Sequence, residues 1–121
     1  MKDIDNIKAQ TEALIRQQLA LSKCVVKEDA FRQPVKLIAG VDVAYQKNGD
    51  YVVAAITVLS AETLDVVESA TFCEQVAFPY IPGLFSFREL PPILKAYERL
   101  SCHPDLIIVD GQGYAHPRRF G

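Results

Sequence analysis

The stretch Val35 to Tyr45, reading Val-Lys-Leu-Ile-Ala-Gly-Val-Asp-Val-Ala-Tyr, is almost wholly apolar and is interrupted by one carboxylate. A run this rich in valine, isoleucine and leucine predicts a central β-strand covered on both faces. An unpaired ionised carboxylate there would cost several kcal/mol, or the group would take up a proton, so Asp42 is expected to have a partner. A second strand of the same kind, Leu106 to Asp110, also carries its acid at the end of the run and is followed by Gly111-Gln112-Gly113. Set side by side, the two strands would place two carboxylates at one edge of a sheet, an arrangement suited to a hard divalent cation.

The remaining composition narrows the classes. With 121 residues, half of them hydrophobic, the chain is long enough for one domain with a core. A formal charge of -2 gives no support to a generic polybasic nucleic-acid binder. A local basic patch does exist, at His116-Pro117-Arg118-Arg119. The three cysteines, Cys24, Cys73 and Cys102, are odd in number and widely spaced, which argues against a disulfide framework and against a zinc site. No apolar run approaches the length of a membrane span, and the first residues lack a signal-type apolar region. The expectation is a soluble, cytoplasmic chain without a membrane role; nothing in the sequence identifies a protein partner.

Taken in order, apolar residues at Ile4, Ile7, Leu14, Ile15 and Leu19 predict an amphipathic helix from about residue 3 to residue 22, with Asp3 or Asp5 as cap. A polar connection ending at Pro34 leads into the first strand. Asn48-Gly49 predicts a tight hairpin, so the next strand, from about Tyr51 to Leu59, runs antiparallel to the first. A turn at Ser60-Ala61-Glu62 leads to a third strand, from Thr63 to about Val76. Phe78-Pro79-Tyr80-Ile81-Pro82-Gly83 then predicts a stiff loop with an aromatic at its tip. A helix follows from about Leu84 to Ser101, bent or restarted at Pro91-Pro92. Glu89 falls in the apolar stripe of this helix with Phe85, Ile93, Ala96 and Leu100, which marks it as a ligand or a loop-side exception. The strand ending at Asp110 can lie parallel to the first through an ordinary crossover. An apolar edge strand so near the last residue predicts that the chain is the amino-terminal part of a longer domain or that something covers that edge.

This β-β-β-α-β order, with acids on the first strand, the helix and the fourth strand, resembles the ribonuclease H-like α/β fold of metal-dependent nucleases, a mixed sheet with three antiparallel strands and a fourth parallel to the first. Four segments make the resemblance narrower: Gly40 to Tyr45, Phe78 to Gly83, Phe85-Ser86-Phe87-Arg88-Glu89, and Val109 to Gly113 continuing through Ala115 to Arg119. In this order they are similar to the successive motifs of the endonuclease V family, the deaminated-base repair nucleases. The matches run from about residue 37 to the end and correspond to roughly the first half of the family's sequence. The organisation this implies is a single, incomplete nuclease domain over residues 1–121, with an amino-terminal helix within 1–26 and a motif-bearing core over 35–121.

The resemblance implies roles for individual residues. Asp42 and Asp110 match the aspartates that hold catalytic magnesium, for which manganese can substitute, and Glu89 matches the glutamate that completes the acidic cluster. Tyr80, within Pro79, Ile81 and Pro82, matches the wedge inserted at the lesion. Gly83, Leu84 and Gly111 lie where the family lines a pocket for the flipped base. His116 and Arg118 fall in the segment expected to touch the DNA backbone. The implied partner is DNA containing a deaminated base such as hypoxanthine, or inosine-containing RNA, and the implied reaction is hydrolysis of a phosphodiester 3' of the lesion. The family's downstream lysine and its further acidic or histidine residue have no counterpart in these residues.

Two other readings stand beside this one. The chain could be a nucleic-acid-binding fragment that cannot cut, or a phosphotransferase of the actin and sugar-kinase type. The absence of a phosphate-gripping Gly-Thr or Gly-Ser turn after Asp42 speaks against the phosphotransferase. Taken alone, Tyr80 would more often be a core or surface aromatic, and Arg118 and Arg119 would be solvated charges. The cysteines read as small apolar residues.

Overall fold

Val52, Ala54, Ile56 and Val58 are fully buried, whereas Tyr51 and Val53 beside them are exposed, so the second strand turns every other side chain toward one layer. A computed structural model of the chain describes residues 2–76, 85–111 and 115–119. The elements are α1 (Lys2–Ser22), β1 (Leu37–Tyr45), β2 (Tyr51–Ser60), β3 (Val66–Gln75), α2 (Phe85–Glu98) and β4 (Leu106–Ile108). The strands form one mixed sheet in the order β3-β2-β1-β4, with β4 parallel to β1 and the other pairs antiparallel. This is the α/β arrangement expected from the sequence. It forms two compact units, one containing the sheet and α2, the other containing α1 and residues 115–119.

The covering layer of the sheet is α2. Ala96 and Leu100 form a buried cluster with Ala39, Ala54, Ile56 and Val58, and Leu37, Val41, Val43, Ile93 and Tyr97 pack against it. Helix α2 runs through Pro91 and Pro92 without a break. Those prolines remove the helical donors for the carbonyls four residues back, and burial of Pro92 against the sheet offsets that loss. Charged groups fasten the helix to β3. The Arg99 guanidinium lies 4.8 Å from the centroid of the Phe72 ring and donates to the Thr71 carbonyl at 2.8 Å. Lys95 pairs with Glu74. Just beyond α2, the Glu68 carboxylate accepts hydrogen bonds from the backbone N–H groups of Ser101 and Cys102, which hold it below its ordinary pKa.

The hairpin loop spans the Asn48-Gly49 pair as expected, though only Gly49 takes a positive φ, of 76°. Asn48 instead accepts the Asp50 N–H on its side chain, the local bond that makes asparagine a turn residue. β3 begins at Val66 rather than Thr63, because the preceding turn extends to Asp65. There Leu64 sits at φ 63°, its N–H bonds to the Ser60 carbonyl, and the Ser60 N–H bonds to the Asp65 carbonyl. β4 is also shorter than its apolar run, with strand pairing ending at Ile108. In the other unit, Leu14 and Ile15 of α1 are partly buried, whereas Ile7 and Leu19 are about half exposed. Among the described residues, no helix is long and apolar enough to cross a membrane.

Candidate functional site

The parallel pair β1–β4 decides where the two aspartates stand. Ile38, Ala39 and Gly40 pair in turn with Leu106, Ile107 and Ile108. Asp42 and Asp110 each lie two residues beyond the last of these pairs, at the same end of the two strands. The register is held at its start by Asp105, whose N–H donates to the Leu37 carbonyl at 2.9 Å. Its carboxylate oxygen Oδ2 accepts the N–H groups of Lys36 at 2.9 Å and Leu37 at 3.0 Å. Those two backbone donors stabilise the ionised form and hold the Asp105 carboxyl below its ordinary pKa.

Asp42 is exposed, which corrects the expectation of a strand covered on both faces. Val41 and Val43 pack toward α2, so by alternation Asp42 stands on the other face, level with Ala55 of β2. The reason is legible in β1 itself. Its outward positions are Ile38, Gly40, Asp42 and Ala44, of which only the first is bulky and apolar. Asp42 Oδ1 accepts the Val43 N–H at 2.9 Å. A pocket of about 410 Å³ lies next along the sheet, lined by Ala44, Tyr45, Gln46, Tyr51, Val53 and Cys73.

Glu89 does lie inward on α2, one turn before Ile93, and its partner comes from β1. The Tyr45 hydroxyl donates to Glu89 Oε2 at 2.8 Å. The guanidinium of the neighbouring Arg88 sits 4.6 Å from the centroid of the Tyr45 ring, a cation–π contact, and its Nε is buried without a hydrogen-bond partner among the described residues. Burial of the phenol, followed by the hydrogen bond to Glu89 and the charge of Glu89, pushes the Tyr45 pKa up to about 12, against a smaller opposing pull from Arg88. Tyr45 and Arg88 stood in the quoted motifs without a role. The signal available for Tyr45 was its parity with Val41 and Val43, which turns it toward the helix.

Carboxylate oxygens are the donors that magnesium prefers, and one or two of them with a substrate phosphate make an ordinary shell for it. Asp42 and Asp110 therefore fit the ion by donor type, and they lie at the same end of paired strands. The expected three-acid cluster is not gathered: among the described residues, no group of three or more His, Cys, Asp or Glu side chains could hold a metal ion. Tyr80, Pro79, Ile81, Pro82, Gly83 and Leu84 lie outside the described residues, and Gly111 is exposed at the end of its segment. In the unit with α1, His116 is 3% exposed and its Nδ1 accepts the Arg118 N–H at 3.0 Å, while Arg118 Nε donates to the fully buried Gln18 of α1.

A model of the endonuclease V family matches residues 19–121. The chain belongs to the endonuclease V family. The endonuclease V of Trichormus variabilis is 46% identical over 110 residues, covering 91% of this chain and 50% of that protein. The crystal structure of endonuclease V from Streptomyces avermitilis superposes with a TM-score of 0.80 at 45% identity, over 93% of this chain and 49% of that one. Endonuclease V of Ciona intestinalis, solved in complex with a 24mer DNA containing an inosine followed by a ribo-adenosine, superposes with a TM-score of 0.81 at 27% identity, over 93% and 51% of the two chains. The chain thus spans about half the length of the endonuclease V relatives it matches.

Proposed function

We propose that this chain carries the amino-terminal part of the site of a repair endonuclease that acts on DNA containing deaminated bases and hydrolyses the phosphodiester 3' of the lesion with magnesium. The observation that supports the reading is the parallel pairing of β1 with β4, the strands that lead to Asp42 and Asp110, in a member of the endonuclease V family. The inosine-containing DNA bound by the Ciona intestinalis relative supports the substrate class.

Asp42 and Asp110 would supply oxygen donors for the ion, and Glu89, the third acid of the family motif, stands on the α2 side of the sheet with Tyr45. When bound, the ion lowers the pKa of the attacking water and offsets charge on the leaving oxygen. Tyr80, between Pro79 and Pro82, is the wedge that fills the gap left by an unstacked base, with Gly83, Leu84 and Gly111 lining the pocket that receives it. A deaminated base pairs poorly, so its extrusion costs less than that of a normal base, and this difference selects the lesion before any hydrogen bond is read. Arg118 contacts the DNA backbone, and the buried His116 holds the backbone of that segment in place through the Arg118 N–H.

The dispersed acids favour a second reading for these residues taken alone, in which they bind nucleic acid without cutting it. A nicking assay separates the two. This chain and a longer one that includes the family's downstream residues are incubated with inosine-containing and normal duplexes, with magnesium and with chelator. Magnesium-dependent nicking of the inosine duplex by the longer chain is expected. Cleavage that persists unchanged in chelator or in Asp42→Ala would sink the nuclease reading, and binding without nicking by the short chain would establish the second reading for it.

A further inference from the structure

We propose that Gln18 is a positioning residue for Arg118, holding its guanidinium ready for a phosphate of the DNA while touching no DNA itself. The proposal rests on the reading above that Arg118 meets the DNA backbone. Helix α1 turns Thr11, Leu14, Ile15, Gln18 and Ser22 to its more buried side, at the spacing of one helical face, and leaves Leu19 and Leu21 nearly half exposed. A glutamine with 0% exposure thus holds a place on that face where an apolar side chain is the ordinary occupant. Burying an amide is costly unless its polar atoms are bonded, and Gln18 Oε1 accepts the Nε–H of Arg118, within the same compact unit. The turn that carries Arg118 is fixed from its own side. The Arg119 N–H donates to the His116 carbonyl at 2.8 Å, the Arg118 N–H donates to His116 Nδ1 at 3.0 Å, and Pro117 restricts the backbone between them. His116 therefore sets the backbone and Gln18 sets the side chain. A guanidinium is a rigid planar fork of donors, so a bond at Nε orients the whole fork, the geometry that meets a phosphate on two oxygens. An arginine ordered before DNA arrives avoids the entropic cost of ordering a long side chain on binding. Gln18 lies outside every quoted motif and just before the stretch 19–121 that the family model matches, so neither assigns it this role.

The test measures binding of the 121-residue chain to an inosine-containing duplex over a series of salt concentrations. Arg118→Gln is expected to weaken binding and to lower the slope of log affinity against log salt by about 0.9, the share of one phosphate contact. Gln18→Met, similar in volume but without the carbonyl, is expected to weaken binding about two- to tenfold with the slope unchanged, because the cation still reaches its phosphate once the DNA has ordered it. In an Arg118→Lys background, whose ammonium lacks the fork that the amide orients, Gln18→Met is expected to change nothing further. Unchanged affinity in Gln18→Met, while Arg118→Gln weakens binding, would overturn the positioning role and leave the phosphate contact standing. Unchanged affinity and slope in Arg118→Gln would overturn the contact and the positioning role together. An equal loss from Gln18→Met in both backgrounds would show that the amide acts through the fold, which also overturns the role. Should Gln18→Met fail to fold, nitrogen relaxation of the Arg118 Nε–H in the unmutated chain decides: it is expected to be as ordered without DNA as with it, and order that arises only on adding DNA would refute the proposal.

Discussion

Asp105 and Leu37 bind each other twice, with the Asp105 N–H on the Leu37 carbonyl at 2.9 Å and the Leu37 N–H on Asp105 Oδ2 at 3.0 Å. This reciprocal pair fastens the start of β4 to the start of β1. Because its carboxyl pKa is depressed on folding, Asp105 contributes stability that is complete above its ordinary value of 3.8 and is lost as pH falls through the lower folded value. Glu68, depressed from 4.5 by the Ser101 and Cys102 donors, adds to the same loss. Urea unfolding between about pH 7 and about pH 2 should therefore show a flat plateau followed by an acid decline, and Asp105→Asn and Glu68→Gln should each make that decline shallower. An unaltered acid limb in both variants would show that these bonds do not contribute.

Tyr45 shifts in the opposite sense. Its folded pKa of about 12 lies above the ordinary 10.0, so the neutral phenol is favoured by folding. The stability it contributes is complete below pH 10 and disappears as pH rises through 12. Ultraviolet difference titration should resolve one tyrosine that ionises after the others and is missing in Tyr45→Phe. Glu89→Gln should move that titration part of the way back, because burial, the larger cause, remains.

Ile56 is 1% exposed in the middle of the buried cluster. Truncation to alanine leaves a cavity under α2 and should cost about 2–5 kcal/mol, read from the denaturant midpoint. Ala96, fully buried on the facing helix, should resist enlargement: Ala96→Leu is expected to cost about 1–3 kcal/mol through overpacking.

Gly49 holds a φ of 76° with open space where a Cβ would stand, so Gly49→Ala meets backbone strain and no steric clash. A loss of about 1–2 kcal/mol in the same unfolding experiment is expected. Gly40, also without neighbours within 4 Å of a built Cβ and without a positive φ, should accept alanine at much smaller cost.

In a chain long enough to cleave, Asp42→Asn and Asp110→Asn should each reduce the magnesium-dependent rate by more than the roughly 100-fold typical of outer-shell partners. Activity within tenfold of the unsubstituted protein for either variant would remove that aspartate from the site.

The strand and helix order was legible because each element has a clear period: β2 alternates, α2 repeats its apolar residues every three or four positions, and a hairpin signal separates β1 from β2. Boundaries were less legible where side-chain bonds with the backbone, as at Ser60 to Asp65, replace the ladder. The open face at Asp42 was misread because a count of apolar residues in β1 hides their alternation. Glu89 could be placed inward from its stripe, but its tyrosine partner is 44 residues away in sequence and only pairing of the elements brings them together. The Asp105 clamp gave no sequence signal, since an aspartate after a proline reads as an ordinary loop residue.

The fastening of β4 lies at the opposite end of that strand from the acid it delivers. A slip of one place between the strands would exchange their faces, because side chains reverse with every residue. The strand that leads to Asp110 would then turn its other face to the helix although neither aspartate had been altered. On the proposed reading, a longer chain that cleaves should lose activity in variants near Lys36 or Asp105, and restoring the reciprocal bond should bring it back.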